Sequence, residues 1–500
     1  MTVKYRTRLI GLPIFFIQEI SFNVISVLIC KYLRGGETTV TMTTENKKTD
    51  MQINNEADKM GTAPVGRLLA SMAWPAILSM TINALYNVVD SMFVAMVSSK
   101  ALTAVSLVMP VQMLMISLSV GSAVGVNSLI ARRLGARRQE EADKAASTSL
   151  RIALFNYLIF ACVGIFLAKP FMALYTNDEE IFEGGVTYLR IITIFCLFSM
   201  VQVMLEKVLQ ATGNMKAPMF ISLTGAVTNL ILDPILIFGL FGLPEMGIAG
   251  AAIATVAGQC LAMTVAVVTI FKKEHDVKVQ LKGFKIDWHV VRDIYSVGLP
   301  SIIMQSIGSI MLLGYNAILA ASATAVAVLG VYFKLQSFIF MPVFGLNQGA
   351  MPIMGYNFGA RNKNRLMETY KKSLITALII MAAGTILFHL FPQVFLKMFS
   401  ADEAMLEMGI PALRIISLCF IPAAFGIITS TLFQGTGHGV YSLIGSLLRQ
   451  LLVILPLAYI IYHLAGITAS WVSFPLAELV GLTYSAIMLR VLYKKEIKNL

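Results

Sequence analysis

The chain has 500 residues, of which 57% are apolar and 13% charged, and it carries a net charge of +12. Water-soluble domains carry about 25% charged residues, and the mean hydropathy here is +0.76, so neither an ordinary soluble enzyme nor a disordered chain fits. A polytopic membrane protein remains, in which each crossing takes about 20 apolar residues.

Residues 1–64 form an N-terminal extension. It has a basic start (Lys4, Arg6, Arg8), an apolar stretch from Leu9 to Cys30, then Lys31, Arg34 and a polar stretch. A secretory signal has this outline. However, Gln18, Glu19 and Asn23 interrupt the apolar part, and no small-residue cleavage pattern follows. The preferred reading is a disordered or mis-started segment, with synthesis beginning at Met42, Met51 or Met60. An extra membrane helix is the competing reading.

From Leu68 the chain reads as an all-α membrane protein with twelve spans: 68–97, 101–131, 144–172, 183–211, 217–241, 247–271, 290–320, 323–357, 367–397, 404–433, 439–463 and 467–492. These divide into an N-terminal six-helix lobe (65–271), a linker (272–289) and a C-terminal six-helix lobe (290–500). Loops after even spans are basic: Arg132, Arg133, Arg137 and Arg138; then Lys272, Lys273, Lys278, Lys282 and Lys285; then Arg361, Lys363 and Arg365. Loops after odd spans are acidic (Asp178-Glu179-Glu180, Asp402-Glu403) or nearly uncharged. Lys and Arg favour the cytoplasmic side, so the C-terminus is expected there, in a multi-pass protein of the cell membrane. The basic residues are thus accounted for by orientation, and no nucleic-acid partner is expected. The cysteines Cys30, Cys162, Cys196, Cys260 and Cys419 lie singly in apolar segments, without metal-site or disulfide spacing.

The two halves repeat at a fixed offset of 224 residues. Gly121, Gly125 and Gly135-Ala136-Arg137 match Gly345, Gly349 and Gly359-Ala360-Arg361. Leu189-Arg190-Ile191-Ile192 matches Leu413-Arg414-Ile415-Ile416, and Gln210 and Thr212-Gly213 match Gln434 and Thr436-Gly437. Chance apolar similarity would not hold one offset through glycines and charges. Six spans per half is even, so the repeats are parallel, related by an axis along the membrane normal with a central cleft between them. Substrate sites of such transporters lie near the repeat interface.

A carboxylate in hydrocarbon is costly and marks function by default. Asp90 lies on span one, with Tyr86 and Asn83 four and seven residues before it on the same helical face. Asp233 lies on span five with Asn229 one turn earlier, and Thr255 on span six reaches the same depth. Pro234 frees the carbonyl of Leu230, a further oxygen ligand. This constellation suits sodium or a proton; the competing reading is that each acid satisfies a local helix–helix hydrogen bond. In the second half the matching positions are Tyr315 or Asn316, and Leu455 and Pro456, so the acidic site belongs to the first half. The second half instead offers Arg449 and Glu478, expected to pair, and Lys334, which either lines a watered cavity or neutralises a helix C-terminus. Gln305, Asn316, Lys334 and Gln336 are candidates for lining a substrate cavity. Glu206 is expected at the interface, and Arg190 and Arg414 are expected to pair with the acidic loops. The 29 Met give weak support for promiscuous binding. No nucleotide-binding loop of the G-x-x-x-x-G-K-[ST] type occurs, which leaves an ion gradient as the energy source.

On these residues the chain resembles the multidrug and toxic compound extrusion (MATE) transporters. The twelve spans in two repeats, the segment Leu134 to Arg137 with its echo Phe358 to Arg361, and the glutamine–threonine–glycine pairs at Gln210 and Gln434 carry the likeness over about residues 65–495. Within the family it resembles the DinF-like branch, which includes MepA-type exporters. There the cation site lies in the N-terminal lobe, with an Asp on the first helix and an Asn and Asp one turn apart on the fifth; Asp90 with Tyr86, and Asn229 with Asp233-Pro234, match. The resemblance implies a monomeric antiporter, without cofactor or structural metal, that exports amphipathic, often cationic drugs in exchange for H+ or Na+. Alternatives are a lipid-linked sugar flippase of the same superfamily, which would want more spans and a more cationic cavity, and an uncoupled channel or receptor.

Overall fold

The computed structural model describes residues 58–272, 276–280, 287–399 and 401–500. The expectation for the first 57 residues, and part of that for the linker, lies outside the described residues. Of the remaining extension, 58–62 is helical, and Met60 is fully buried.

Among the described residues ten helices are long and apolar enough to cross a membrane, or twelve when each of two bent pairs counts as one span. In chain order these are α1 (Val65–Val97), α2 (Ser99–Gly135), α3 (Gln139–Ala173), the pair α4 (Glu179–Ile194 and Leu197–Ala211), α5 (Lys216–Phe238), α6 (Gly247–Lys272), α7 (Trp288–Leu319), α8 (Ala323–Gly359), α9 (Lys363–Leu390), the pair α10 (Glu403–Ser417 and Phe420–Gly435), α11 (Gly439–Ser470) and α12 (Ser473–Asn499). Spans four and ten, each read from sequence as a single span, are each bent by 45°. No proline or glycine stands at either break. Instead Thr193 Oγ1 donates back to the Leu189 carbonyl at 2.6 Å, and the matching Ser417 Oγ to the Arg414 carbonyl at 3.0 Å. Such back-bonding competes for main-chain carbonyls and bends helices.

The repeat extends to backbone detail. Helices α2 and α8 both begin on a serine cap: Ser98 accepts from the Ala101 amide at 2.9 Å and Ser322 from the Ala325 amide at 3.2 Å. Both end in a left-handed residue, Arg137 at φ 58° and Arg361 at φ 54°. There the Arg138 amide returns to the Arg133 carbonyl, and the Asn362 amide to the Asn357 carbonyl, each at 2.9 Å, closing the same C-terminal motif. The bent pairs finish alike at Gly213 (φ 88°) and Gly437 (φ 94°).

The lobes meet through α1 against α8 and α2 against both α7 and α8. Glycines set the approach: a Cβ on Gly121 would lie 2.5 Å from Ile302, and one on Gly345 2.5 Å from Ile77. Farther along, Gly135 faces the Tyr356 carbonyl and Gly359 faces the Arg132 carbonyl. Small residues of this kind let helices pack backbone to backbone in a membrane. Polar contacts add to the seam. Arg133 pairs with Asp293 at 2.8 Å, Ser128 donates to the Gln434 carbonyl, and Asn357 and Arg365 donate to the Met60 carbonyl at 3.0 and 3.1 Å. The interlobe contacts just named all lie in the half of the helices nearer the basic loops.

Candidate functional site

Asp90 sits on α1 seven residues before its end at Val97, and Asp233 on α5 five residues before Phe238. At about 1.5 Å per residue both lie in the half of the bundle away from the interlobe seam, toward the acidic loops. Their carboxyl groups lie near enough to feel each other's charge. Asp233 is fully buried and Asn229 is 3% exposed; Asp90 is half-buried. Asn229 Nδ2 donates to Asp233 Oδ1 at 3.1 Å and lies 3.3 Å from Thr255 Oγ1 on α6. Tyr86 lies near enough to both carboxyls to feel their charge. The structure therefore gathers Asp90, Asp233, Asn229, Thr255 and Tyr86 in one place, from three helices of one lobe. Asn83, also half-buried, stands two turns below Asp90 toward the basic end.

One oxygen of each acid, Asp90 Oδ1 and Asp233 Oδ2, is buried and has no hydrogen-bond partner among the described residues. No Lys or Arg pairs with either acid among the described residues. Two neighbouring carboxylates, one of them fully buried and neither paired with a cation among the described residues, are costly to keep ionised together. The site needs a positive charge, and a shared proton or a small cation supplies it.

Two neighbours had no sequence signal. Tyr188 on α4 lies close to both carboxyls and accepts a hydrogen bond from Gln112 Nε2 on α2 at 3.3 Å. They reach the acids from other helices, so only the packing reveals them.

The four candidates for a substrate cavity do not gather. Gln305 is exposed on α7, and Asn316 is half-buried eleven residues later, about 16 Å along the helix. Lys334 is exposed, and its ammonium lies 5.8 Å from the Phe399 ring centre, just past the C-terminus of the short helix Pro392–Lys397. Gln336 lines a cavity. It borders a space of about 220 Å³ inside the C-terminal lobe, walled by Tyr332, Phe340, Phe474, Arg449 and Glu478. Arg449 and Glu478 pair at 2.7 Å, with side chains 18% and 15% exposed. Arg449 sits in a π-helical turn, Leu448–Leu452, within α11.

Three expectations are corrected. The loop acids Asp178 and Glu180 pair with Lys100, at 2.8 and 3.3 Å, rather than with Arg190. Lys100 opens α2 beside that loop, whereas Arg190 lies three turns along α4. Arg414 donates to the His389 carbonyl at 3.3 Å rather than to the Asp402 loop, since Asp402 caps its own helix by accepting from the Met405 amide at 2.8 Å. Glu206 is not left to the interface: it accepts from Gln202 at 3.1 Å and from Ser222 on α5 at 3.0 Å. Its neighbour Lys207 reaches across the lobes to Gln348 at 3.0 Å.

Known proteins share this architecture. The MatE family profile matches residues 75–235 and again 299–460, one copy per lobe. A protein named as a probable multidrug resistance protein NorM of Thermotoga maritima is 25% identical, over 84% of this chain and 90% of that protein. The multidrug export protein MepA of Staphylococcus aureus is 25% identical, over 83% of this chain and 91% of that protein. Among solved structures, the outward-facing conformation of a multidrug resistance MATE transporter of the MOP superfamily superposes with a TM-score of 0.80. It is 26% identical, over 88% of this chain and 99% of that one.

Proposed function

The chain belongs to the MatE family of transporters, and from that premise we propose that it is a secondary active exporter of amphipathic, cationic drugs, driven by antiport of a proton or sodium. The observation that carries this reading is the closeness of Asp90 and Asp233, a half-buried and a fully buried acid with no basic partner among the described residues. Such a pair is stable in oil only when it holds a positive charge. It holds either the coupling ion or, once that ion has left, is driven to reload.

The closeness of the two carboxyls supports a proton as the ion, because neighbouring acids can share one proton without an intervening metal. Asn229, held on Thr255, orients Asp233, and Tyr86 and Tyr188 complete the wall. Basic loops at the seam end support placing that end in the cytoplasm, with the dyad in the outer half of the membrane. Proton uptake there would precede closure of the outer side, and release would follow opening of the inner side. Rocking of one lobe against the other accounts for alternating access.

The test is ethidium extrusion by whole cells and by vesicles. Extrusion in vesicles is expected under an imposed pH gradient with sodium absent. Extrusion under a sodium gradient alone would assign the ion as sodium, and extrusion with neither gradient would overturn coupled exchange.

A further inference from the structure

At the basic end the two lobes together enclose a second cavity, of about 470 Å³. Its walls carry Arg132, Arg133 and Arg138 from the N-terminal lobe, and Arg361, Lys495 and Glu496 from the C-terminal lobe. Some of this charge is already matched. Arg133 pairs with Glu141 and Asp293 at 2.9 and 2.8 Å, and Arg138 with Glu141 at 3.4 Å. Glu496, the acid on the wall, is held by His438 at 2.9 Å. The remainder stands outside ion pairs: Arg132, Arg361 and Lys495 form none among the described residues, although Arg132 lies near enough to Asp293 and Glu496 to feel their charge. Arg132 Nε donates to the Ser128 carbonyl at 3.3 Å, which fixes the guanidinium with its outer nitrogens beside Gly437. The bias of Lys and Arg toward one membrane face explains why cations lie on this side. It does not explain why three cations outside any ion pair line a single cavity shared between lobes.

We propose that this cavity binds a phosphate-bearing anion, the headgroup of an acidic phospholipid or a free phosphate compound, and that the bound anion clamps the lobes together at this end. Guanidinium forks match phosphate oxygens two at a time, and basic pockets between membrane helices at the headgroup level take acidic headgroups. Arg132 comes from one lobe, and Arg361 and Lys495 from the other. An anion touching all three therefore binds the apposed arrangement and loses contacts once the lobes part. Its differential affinity shifts the population toward the state seen here. By reciprocity, any change that parts the lobes at this end weakens anion binding by the same factor. The site is remote from the acid dyad and does not depend on which ion drives transport.

The test uses the purified full chain in a neutral detergent, with thermal melting as the readout. It is titrated separately with inorganic phosphate, with short-chain phosphatidylglycerol, and with phosphatidylcholine of the same chain length, all at constant ionic strength set with chloride. A saturable rise in the melting midpoint with phosphate, phosphatidylglycerol or both is expected, and which of them acts identifies the source. The response should weaken at least tenfold in apparent affinity in R361Q/K495Q and survive in the charge-keeping variant R361K. An equal rise with phosphatidylcholine or with added chloride would overturn the proposal, as would an undiminished response in R361Q/K495Q. Should that double variant not fold, K495Q alone must still weaken the response, and an unchanged response there also overturns it.

Discussion

In the N-terminal lobe, the first span carries an acid, Asp90, into the lobe interior, close to a second acid, Asp233. In the C-terminal lobe, one of the two positions matching Asp90 is Tyr315, fully buried, which donates to the Ser470 carbonyl at 2.9 Å and stacks on Trp471 with ring centres 5.9 Å apart; the other, Asn316, is half-buried. The ionisable pair of that lobe lies elsewhere and is neutral in sum, Arg449 with Glu478. One scaffold, duplicated, has thus been filled in two ways. An acid pair short of a positive charge has a reason to take one from outside and give it up again. A matched pair beside an aromatic plug has none. On the proposed function, this difference places ion traffic in the N-terminal lobe and leaves the other as the surface it works against.

The largest expected effect tests that asymmetry directly. Asp233→Asn, or Asp90→Asn, is expected to bring ethidium efflux from cells down to background with the protein still present in the membrane. Neutralising both members of the other pair, Arg449→Gln with Glu478→Gln, is expected to leave efflux near the parent rate. Full efflux in either Asp variant would sink the assignment of the dyad.

Next in size is the stability of the C-terminal pair. Arg449→Gln alone strands Glu478, whose Oε2 already lacks a partner, and breaking a buried pair from one side costs about 3–5 kcal/mol. A clear drop in the melting midpoint is expected, partly restored in the double variant. Equal midpoints for single and double variants would show that the pair is solvated and does not act as a buried unit.

The seam should behave symmetrically where the lobe interiors do not. Gly121→Ala and Gly345→Ala each force a Cβ to within 2.5 Å of an isoleucine on the facing lobe, an overpacking worth about 1–3 kcal/mol. Similar losses of thermal stability are expected for both; a loss in only one would mean that the two sides of the seam are not equivalent. The smallest effects are those of the twin caps. Ser98→Ala and Ser322→Ala should each cost about 1 kcal/mol, again alike, read by melting of the two single variants.

How much of this was written in the chain depends on distance along it. The repeat was legible because glycines and charges, unlike apolar residues, are not interchangeable in oil. Asp90 and Asp233 stood out because hydrocarbon makes an acid expensive, and Asn229 and Thr255 followed from helical periodicity and depth. The bends in spans four and ten were not legible, since Thr193 and Ser417 act through a hydrogen bond that composition does not announce. Tyr188 and Gln112 were missed for a related reason: their place beside the acids depends on how α2 and α4 rotate against α1 and α5. The partner of Lys100 likewise depends on which loop folds over the start of α2. Lys334 shows the limit most plainly, as its contact with Phe399 joins segments 65 residues apart that no pattern links.

The reciprocal glycine contacts carry one last consequence. Gly135 against Tyr356 and Gly359 against Arg132 are the two jaws of a clasp related by near-twofold symmetry. A rotation that springs one jaw springs its twin, so a state with a single side released gains little freedom while losing half the grip. Fluorescent reporters placed across this end should therefore hop between two levels, with no long-lived third, however slowly the driving gradient is applied.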